Sequence, residues 1–183
     1  MTSVTTSDIK IRHAELKDVE SICEMLRNTF TTTFGHTIPA EDLKIFLEDT
    51  YNSHVISAEI VDPATTSLVA EDPTQPENII GLAQLLRGTS QEEPCMKEID
   101  KAVEIHRIYV DTNFHKRGVG TRFMNELEQI AKDESFPVVW LGVDEYHPYA
   151  QDFYIGRGYK RVGRKPFKMG NCIQYDWVVM KQL

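Results

Sequence analysis

One stretch limits the architecture of this chain more than any other. Residues 102–110 (AVEIHRIYV) read as a strand, and 118–132 as a helix with Phe123, Met124, Leu127, Ile130 and Ala131 on one stripe. Residues 138–143 (VVWLGV) then form a nearly continuous apolar run, the pattern of a strand buried on both faces. A strand, a helix and a second strand in such short order close as a right-handed crossover between parallel strands. The sheet must therefore contain a parallel pair with a helix packed over it.

The flanking segments call for antiparallel pairing. Ser67 to Ala70 and Ile79 to Leu86 read as strands around the turn-forming stretch 71–78 (EDPTQPEN), which makes a long-looped hairpin. Tyr159 to Val162 and Ile173 to Met180 read as closing strands. Ile9, Ile11 and His13 alternate with Lys10 and Arg12 as a first strand. A helix opening at Lys17 or Asp18 carries Val19, Ile22, Cys23, Met25, Leu26 and Phe30 on one face. It is expected to break over Thr31 to Thr37, with Gly35 as the stop. Pro39 suits the first turn of a second helix that buries Leu43, Phe46 and Leu47. A third short piece holds Val55, Ile56, Glu59 and Ile60 and ends at Asp62-Pro63. Residues 88–100 read as loop, and Tyr149 to Arg157 as a short helix ended by Gly158. The order predicts an α+β fold around a central mixed, mostly antiparallel sheet with helices on both faces. One domain over 9–183 is expected, after a flexible Ser/Thr-rich segment over 1–8.

Composition narrows the classes of partner. Apolar residues make up 41% of the 183, enough for a sizeable core. Lys plus Arg number 20 against 28 Asp plus Glu, a net charge of −8. That argues against non-specific nucleic-acid binding and is compatible with a cationic substrate. Cys23, Cys95 and Cys172 form no CxxC pair, so neither a zinc ribbon nor a disulfide framework is expected, nor any other metal site. Free thiols suit a reducing compartment. The start MTSVTTSDIK lacks the apolar stretch of a signal peptide, and no apolar run approaches the ~20 residues of a membrane helix. A cytoplasmic protein is expected, with the nucleus also open.

The segment most suggestive of chemistry runs from Glu104 to Gly120, EIHRIYVDTNFHKRGVG. A strand feeds a loop with two glycines that opens a helix. Such a loop lets backbone amides approach an anion, and the helix N-terminus adds a partial positive charge. His115, Lys116 and Arg117 add cationic groups inside an acidic chain, and a pyrophosphate is a natural guest. Taken alone, a G-x-G loop is more often a helix-capping turn with solvated charges. No Gly-Lys-Ser/Thr follows, which excludes a P-loop, and the full G-x-G-x-x-G of a dinucleotide fold is missing.

A second segment, Ala150-Gln-Asp-Phe153-Tyr154-Ile-Gly-Arg-Gly158-Tyr159, changes the balance. R-G-V-G opening a helix, followed after the next strand by A-x-x-F-Y-x-x-x-G-Y, resembles the GNAT superfamily of N-acetyltransferases over about 9–183. His115 stands where that family commonly has Gln or Arg, and His147 where it often has Asn. Thr29 to Gly35, Pro39 to Leu43 and the tail Phe167 to Trp177 with Met180 resemble the PaiA-like polyamine acetyltransferase branch.

The resemblance implies acetyl-CoA as co-substrate and direct attack of an amine on its thioester. It implies cofactor contacts from the backbone of Ile108, Tyr109 and Val110, where the strand would splay from its neighbour. Further contacts would come from the loop of His115, Lys116, Arg117, Gly118, Val119, Gly120 and Thr121, and from His147, Ala150, Phe153 and Tyr154. Tyr154 would protonate the departing thiolate, since a phenol of pKa ~10 stays protonated at neutral pH. The other possibility is a core residue packed beside Phe153. Glu104, fourteen residues before Gly118, has the offset of the catalytic Glu in histone-acetylating members. It would deprotonate the acceptor directly or through water, with His106 able to share the task, or would be a strand-surface carboxylate that attracts a cation. Acceptor specificity would come from Phe34, His36, Asp42, Tyr51 and the 88–100 loop; Trp140 and Trp177 read as core. The acceptor implied is a small primary amine such as a polyamine, taken by a monomer or homodimer. A protein or peptide acetyltransferase, and a non-catalytic CoA-binding module, stay open beside it.

Overall fold

The computed structural model describes residues 9–183; the expected flexible segment 1–8 lies outside the described residues. Twelve elements follow in order: β1 (Ile11–His13), α1 (Val19–Phe34), α2 (Ala40–Thr50), α3 (Ser53–Val61), β2 (Thr65–Glu71), β3 (Ile79–Leu86), β4 (Ala102–Val110), α4 (Val119–Asp133), β5 (Val138–Asp144), α5 (Pro148–Gly156), β6 (Lys160–Met169) and β7 (Cys172–Gln182). The strands form one sheet in the order β1-β2-β3-β4-β5-β7-β6. Every neighbouring pair is antiparallel except β4–β5, which is the parallel pair demanded by the crossover through α4.

Two cores flank the sheet, because the central strands alternate apolar residues to both faces. On one face α4 buries Phe123, Met124, Leu127 and Ala131 against Val103, Ile105, Val139, Leu141 and Val143. On the other, α1 to α3 bury Ile22, Leu26, Phe30, Tyr51 and Ile56 against Val69 and Leu82. Each such side chain contributes about 1.5–3 kcal/mol of burial. A third cluster, Met96, Ala102, Val138, Trp140 and Val178, lies between the 88–100 connection and the sheet.

β4 serves both cores and carries one irregularity. Its pairing with β3 slips between Leu85↔Ile105 and Gln84↔Arg107, so His106 is an extra, bulged residue. Before the bulge Val103 and Ile105 face α4; after it Ile108 and Val110 do, while Tyr109 packs on the α1–α3 side.

Three elements depart from the reading of the sequence. α1 does not break at Thr31 but runs to Phe34. Three threonines lower helix propensity, yet Phe34 extends the buried stripe, its ring 5.0 Å from that of Phe30, and packing overrides propensity. Gly35 caps this end in ordinary helical geometry, and Pro39 is the N-cap of α2 rather than a first-turn residue. β6 continues past Val162 to Met169, through Gly163 and Pro166. It is an edge strand paired only with β7, so the missing proline amide disturbs no ladder. Gly163 sits at a bulge against Cys95, where an added Cβ would lie 2.5 Å from the Sγ.

Candidate active site

The parallel pair β4–β5 is short. Ala102, Val103 and Glu104 pair with Val138, Val139 and Trp140, and there the ladder ends. β4 continues on β3 alone and β5 on β7 alone, so the sheet opens into a wedge. A cavity of about 220 Å³ occupies it, walled by Ile105 to Val110 of β4 and Leu141 to Asp144 of β5. Thr29, Phe30, Thr33 and Phe34 of α1 close one side, and Phe167, Met169, Gln174 and Asp176 of the β6–β7 hairpin another. His115, His147, Ala150 and Tyr154 complete it.

The loop into α4 is shaped by two left-handed residues, Lys116 at φ 60° and Gly118 at φ 76°. A lysine in that region is strained and is held there by its surroundings. Asp111 accepts a hydrogen bond from the Asn113 amide, and the His115 Nε2 lies 2.9 Å from the Val110 carbonyl, which fastens the loop to the end of β4. Gly118 is the N-cap and offers no side chain, and the first amide to donate back is that of Arg122. The amides of Val119, Gly120 and Thr121 find no acceptor among the described residues and carry the positive end of the α4 dipole. The Arg117 guanidinium lies over the Phe114 ring, 4.9 Å from its centroid. Gly120 faces Phe153 of α5, whose Cζ would lie 3.8 Å from an added Cβ.

α5 aims Tyr154 into the wedge. His147 caps this helix, its Nδ1 accepting from the Ala150 amide at 3.3 Å, and its ring packs edge-on to Phe34. An imidazole thus caps this helix. Gly158, at φ 90°, ends the helix. Tyr154 is buried between Phe153 and Tyr159, lines the cavity, and makes no hydrogen bond among the described residues. Burial, reinforced by the neighbouring Tyr109, pushes its pKa above that of an ordinary phenol, so it is protonated at neutral pH.

Glu104 lies at the vertex of the wedge, on the last paired residue, and is not on the cavity wall. Its carboxylate is buried, 3.5 Å from the Lys165 Nζ and 3.8 Å from the His106 Nδ1. Burial alone would raise its pKa, but the neighbouring His106 and the Lys165 charge hold it below the usual value. His106, bulged outward, is the group of this pair that lines the cavity.

The other predicted residues are distributed unevenly. Phe34 lines the cavity. Tyr51 is buried away from it, beneath the Arg107 guanidinium, its hydroxyl donating to that of Tyr109 at 3.2 Å. Asp42 accepts from the Asn171 amide and ties the β6–β7 turn to α2; His36 is exposed. The 88–100 connection contributes no residue to the wall, since Cys95 and Met96 turn inward to the cluster around Trp140. Trp140 is core, whereas Trp177 is half-buried with the Arg161 guanidinium 3.6 Å from its centroid.

Asp144 and Asp176 escaped notice as site residues, although they stand opposite each other on β5 and β7 and both line the cavity. The one sign in the sequence was Gly142, a glycine inside a buried apolar strand. Among the described residues, no three His, Cys, Asp or Glu side chains converge as metal ligands, and no helix is long and apolar enough to cross a membrane.

Comparison with known proteins agrees with this architecture. The Acetyltransferase (GNAT) family matches residues 20–159. An uncharacterized N-acetyltransferase of Lactobacillus delbrueckii subsp. lactis is 31% identical over 96% of this chain and 98% of its own length. One from Mycobacterium tuberculosis is 25% identical over 92% and 99%. Among solved structures, the PaiA N-acetyltransferase of Thermoplasma acidophilum in complex with coenzyme A superposes with a TM-score of 0.76 at 19% identity, over 96% of this chain and 99% of that one. Arabidopsis thaliana NAA60 in complex with acetyl-CoA gives 0.76 at 16% identity, over 96% and 98%.

Proposed function

The chain belongs to the GNAT acetyltransferase family and is an N-acetyltransferase, and from that premise we propose that it moves an acetyl group from acetyl-CoA to a small cationic primary amine, of which a polyamine is one form. The observation that carries the acceptor class is the lining of the cavity's far end. Phe30, Phe34 and Phe167 supply aromatic and apolar surface, and Asp144 and Asp176 supply negative charge. Aromatic faces and carboxylates together suit an alkyl ammonium ion. The β6–β7 hairpin is tied down at this end, the Gln174 Nε2 donating to the Thr37 carbonyl at 3.1 Å and Asp42 accepting from the Asn171 amide at 2.7 Å. A cavity of about 220 Å³ beside a fastened hairpin suits a slim acceptor better than a polypeptide.

In this reading the pyrophosphate of CoA takes the amides of Val119, Gly120 and Thr121, with Lys116 and Arg117 beside it. The pantetheine arm lies between β4 and β5 and completes the ladder that those strands leave unpaired, meeting the backbone of Ile108, Tyr109 and Val110. One β4 amide directed at the thioester oxygen would be worth about 3 kcal/mol of barrier. The amine attacks the carbonyl carbon, and Tyr154 protonates the thiolate as the carbon–sulfur bond breaks. Glu104, ion-paired to Lys165 behind His106, holds that imidazole in place to pass the acceptor's proton on to water.

Thiol release from acetyl-CoA, measured with a panel of diamines, polyamines, amino acids and N-terminal peptides, tests this. Diamines or polyamines should give the highest kcat/KM. Turnover confined to peptides would refute the acceptor class, and CoA binding without turnover of any amine would refute the transferase.

A further inference from the structure

We propose that Asp176 is the anchor for the acceptor ammonium and takes its proton before attack, a role that rests on the acetyltransfer reading above. The placement is geometric. Asp176 stands on β7, two strands away from β4, yet reaches the wedge because the intervening residue on β5 is Gly142. A Cβ built on Gly142 would lie 2.8 Å from the Asp176 Oδ2 and 2.8 Å from the Lys165 Cε. The absent side chain is the space through which the carboxylate leans toward the open edge of β4. Across that gap the cavity is bounded by His106 and Tyr109.

The carboxylate is also short of partners. Among the described residues no donor hydrogen-bonds it. Lys165, the nearest cation, is committed to Glu104. Asp144, across the β5–β7 ladder, and Glu145 add like charge; Tyr109 faces it from β4, and His106 lines the same cavity. Burial first, opposed by Lys165 and reinforced by Asp144 and Glu145, pushes its pKa up to about 6. A half-buried anion with no hydrogen-bond donor, in an acidic setting, is stabilised by a guest cation. The shift from 3.8 to about 6 also makes it roughly a hundredfold better proton acceptor than an ordinary aspartate. Glu104 has the opposite character: its contacts with His106 and Lys165 lower its pKa.

The step balances as follows. An N–H bond of the ammonium breaks and an O–H bond forms on Asp176. The freed lone pair forms the N–C bond to the acetyl carbon, and the C–S pair leaves with sulfur. The thiolate takes the Tyr154 proton, and the second nitrogen proton returns to Tyr154. The Asp176 proton is released to water, so acetyl-CoA and an ammonium ion give an amide, a thiol and one solvent proton.

The test compares wild type with Asp176→Asn and Asp176→Glu on spermidine and on a tetrapeptide with a free N-terminus. On whichever of these amines turns over, Asp176→Asn should lower kcat/KM by ~10²-fold or more. It should abolish the loss of activity below pH 6, leave the CoA dissociation constant within twofold, and raise the melting temperature at pH 8. Asp176→Glu should recover part of the rate. In a ¹³C-carboxyl titration of wild type, the signal absent from Asp176→Asn should titrate near 6 and move lower with spermidine or the peptide bound. An Asp176→Asn enzyme within threefold of wild type with an unchanged pH profile would overturn the proposal, as would a carboxyl signal indifferent to both amines. If only the peptide turns over, the small-amine reading fails and Asp176 is still judged by these ratios. If neither turns over, the carboxyl titration decides.

Discussion

Replacing Tyr154 by Phe separates chemistry from packing more cleanly than any other single change in this molecule. The ring stays, with its edge contacts to Phe153 and Tyr159 at 5.2 and 5.8 Å. Only the hydroxyl goes, and among the described residues nothing hydrogen-bonds it. Breaking a typical hydrogen bond costs about 0.5–1.5 kcal/mol, but here no partner is orphaned, so that cost is absent. The hydroxyl opens on the cavity, so the two forms should be equally stable within about 0.5 kcal/mol. For a chain of this size that is a melting temperature unchanged within ~2 °C. Loss of a general acid lowers kcat by ~10²–10⁴-fold, or about 3–5 kcal/mol of barrier. The lower end is expected, because the raised pKa of Tyr154 makes it a weak acid against a thiol of pKa ~8.5. The raised pKa also means that wild type loses no activity through Tyr154 ionisation up to about pH 10. Calorimetric melting, CoA titration and initial rates of thiol release give the three numbers. A fourth is decisive: with an acetyl thioester of a more acidic thiol, the deficit of the Phe variant should shrink, since that thiolate needs no proton to leave. Full kcat in the variant, or a deficit independent of the leaving group, would refute the acid role.

Gly118→Val puts a β-branched residue at φ 76° at the mouth of α4, so a folded variant should bind CoA at least tenfold more weakly by calorimetry. Glu104→Gln removes the partner of Lys165 and His106, and its rate deficit at pH 7 should narrow toward pH 10, where more acceptor is neutral; a profile parallel to wild type would make Glu104 an electrostatic surface only. Asp176→Asn should change stability with a definite sign. The folded pKa is raised, so the aspartate contributes stability only below its unfolded value near 3.8 and loses it as pH climbs through about 6. At pH 8 the Asn variant should be more stable by up to about 3 kcal/mol, and at pH 3 no more stable than wild type, as followed by denaturant melts at both pH values.

Most of the fold was legible because the strands and helices carry strong periodicity. The strand from Ala102 to Val110 and the crossover to Val138 stand where the pattern put them. What local pattern could not supply was context. Thr31 to Thr33 look like a break until Phe34 finds the core, and Gly163 and Pro166 look like breakers until β6 proves to be an edge. The end of the site proposed for the cofactor, from His115 to Thr121 and from His147 to Tyr154, lies within two contiguous motifs and was open to naming from spacing. The acceptor end was not. Asp176 matters through a glycine thirty-four residues earlier on another strand, and Tyr51, which looked suited to a cation, is spent on Arg107 and Tyr109. Register across a sheet is a long-range property, and single-chain spacing does not encode it.

The extra residue at His106 fixes how this strand is able to vary. Deleting it would restore simple alternation along β4 and leave every face as it is: Ile105, Ile108 and Val110 would still meet α4, and Tyr109 the α1–α3 side. What would go is the imidazole on the cavity wall. An inserted residue, with no second bulge to absorb it, would turn Arg107 and Tyr109 into the α4 core and Ile108 and Val110 out of it. Substitution at individual positions is therefore open to descendants of this sequence, but a gain in the length of β4 is not. Length variation is left to segments such as residues 88–100, which contribute nothing to the cavity wall. The chemistry-bearing strand is tuned by spelling rather than by counting.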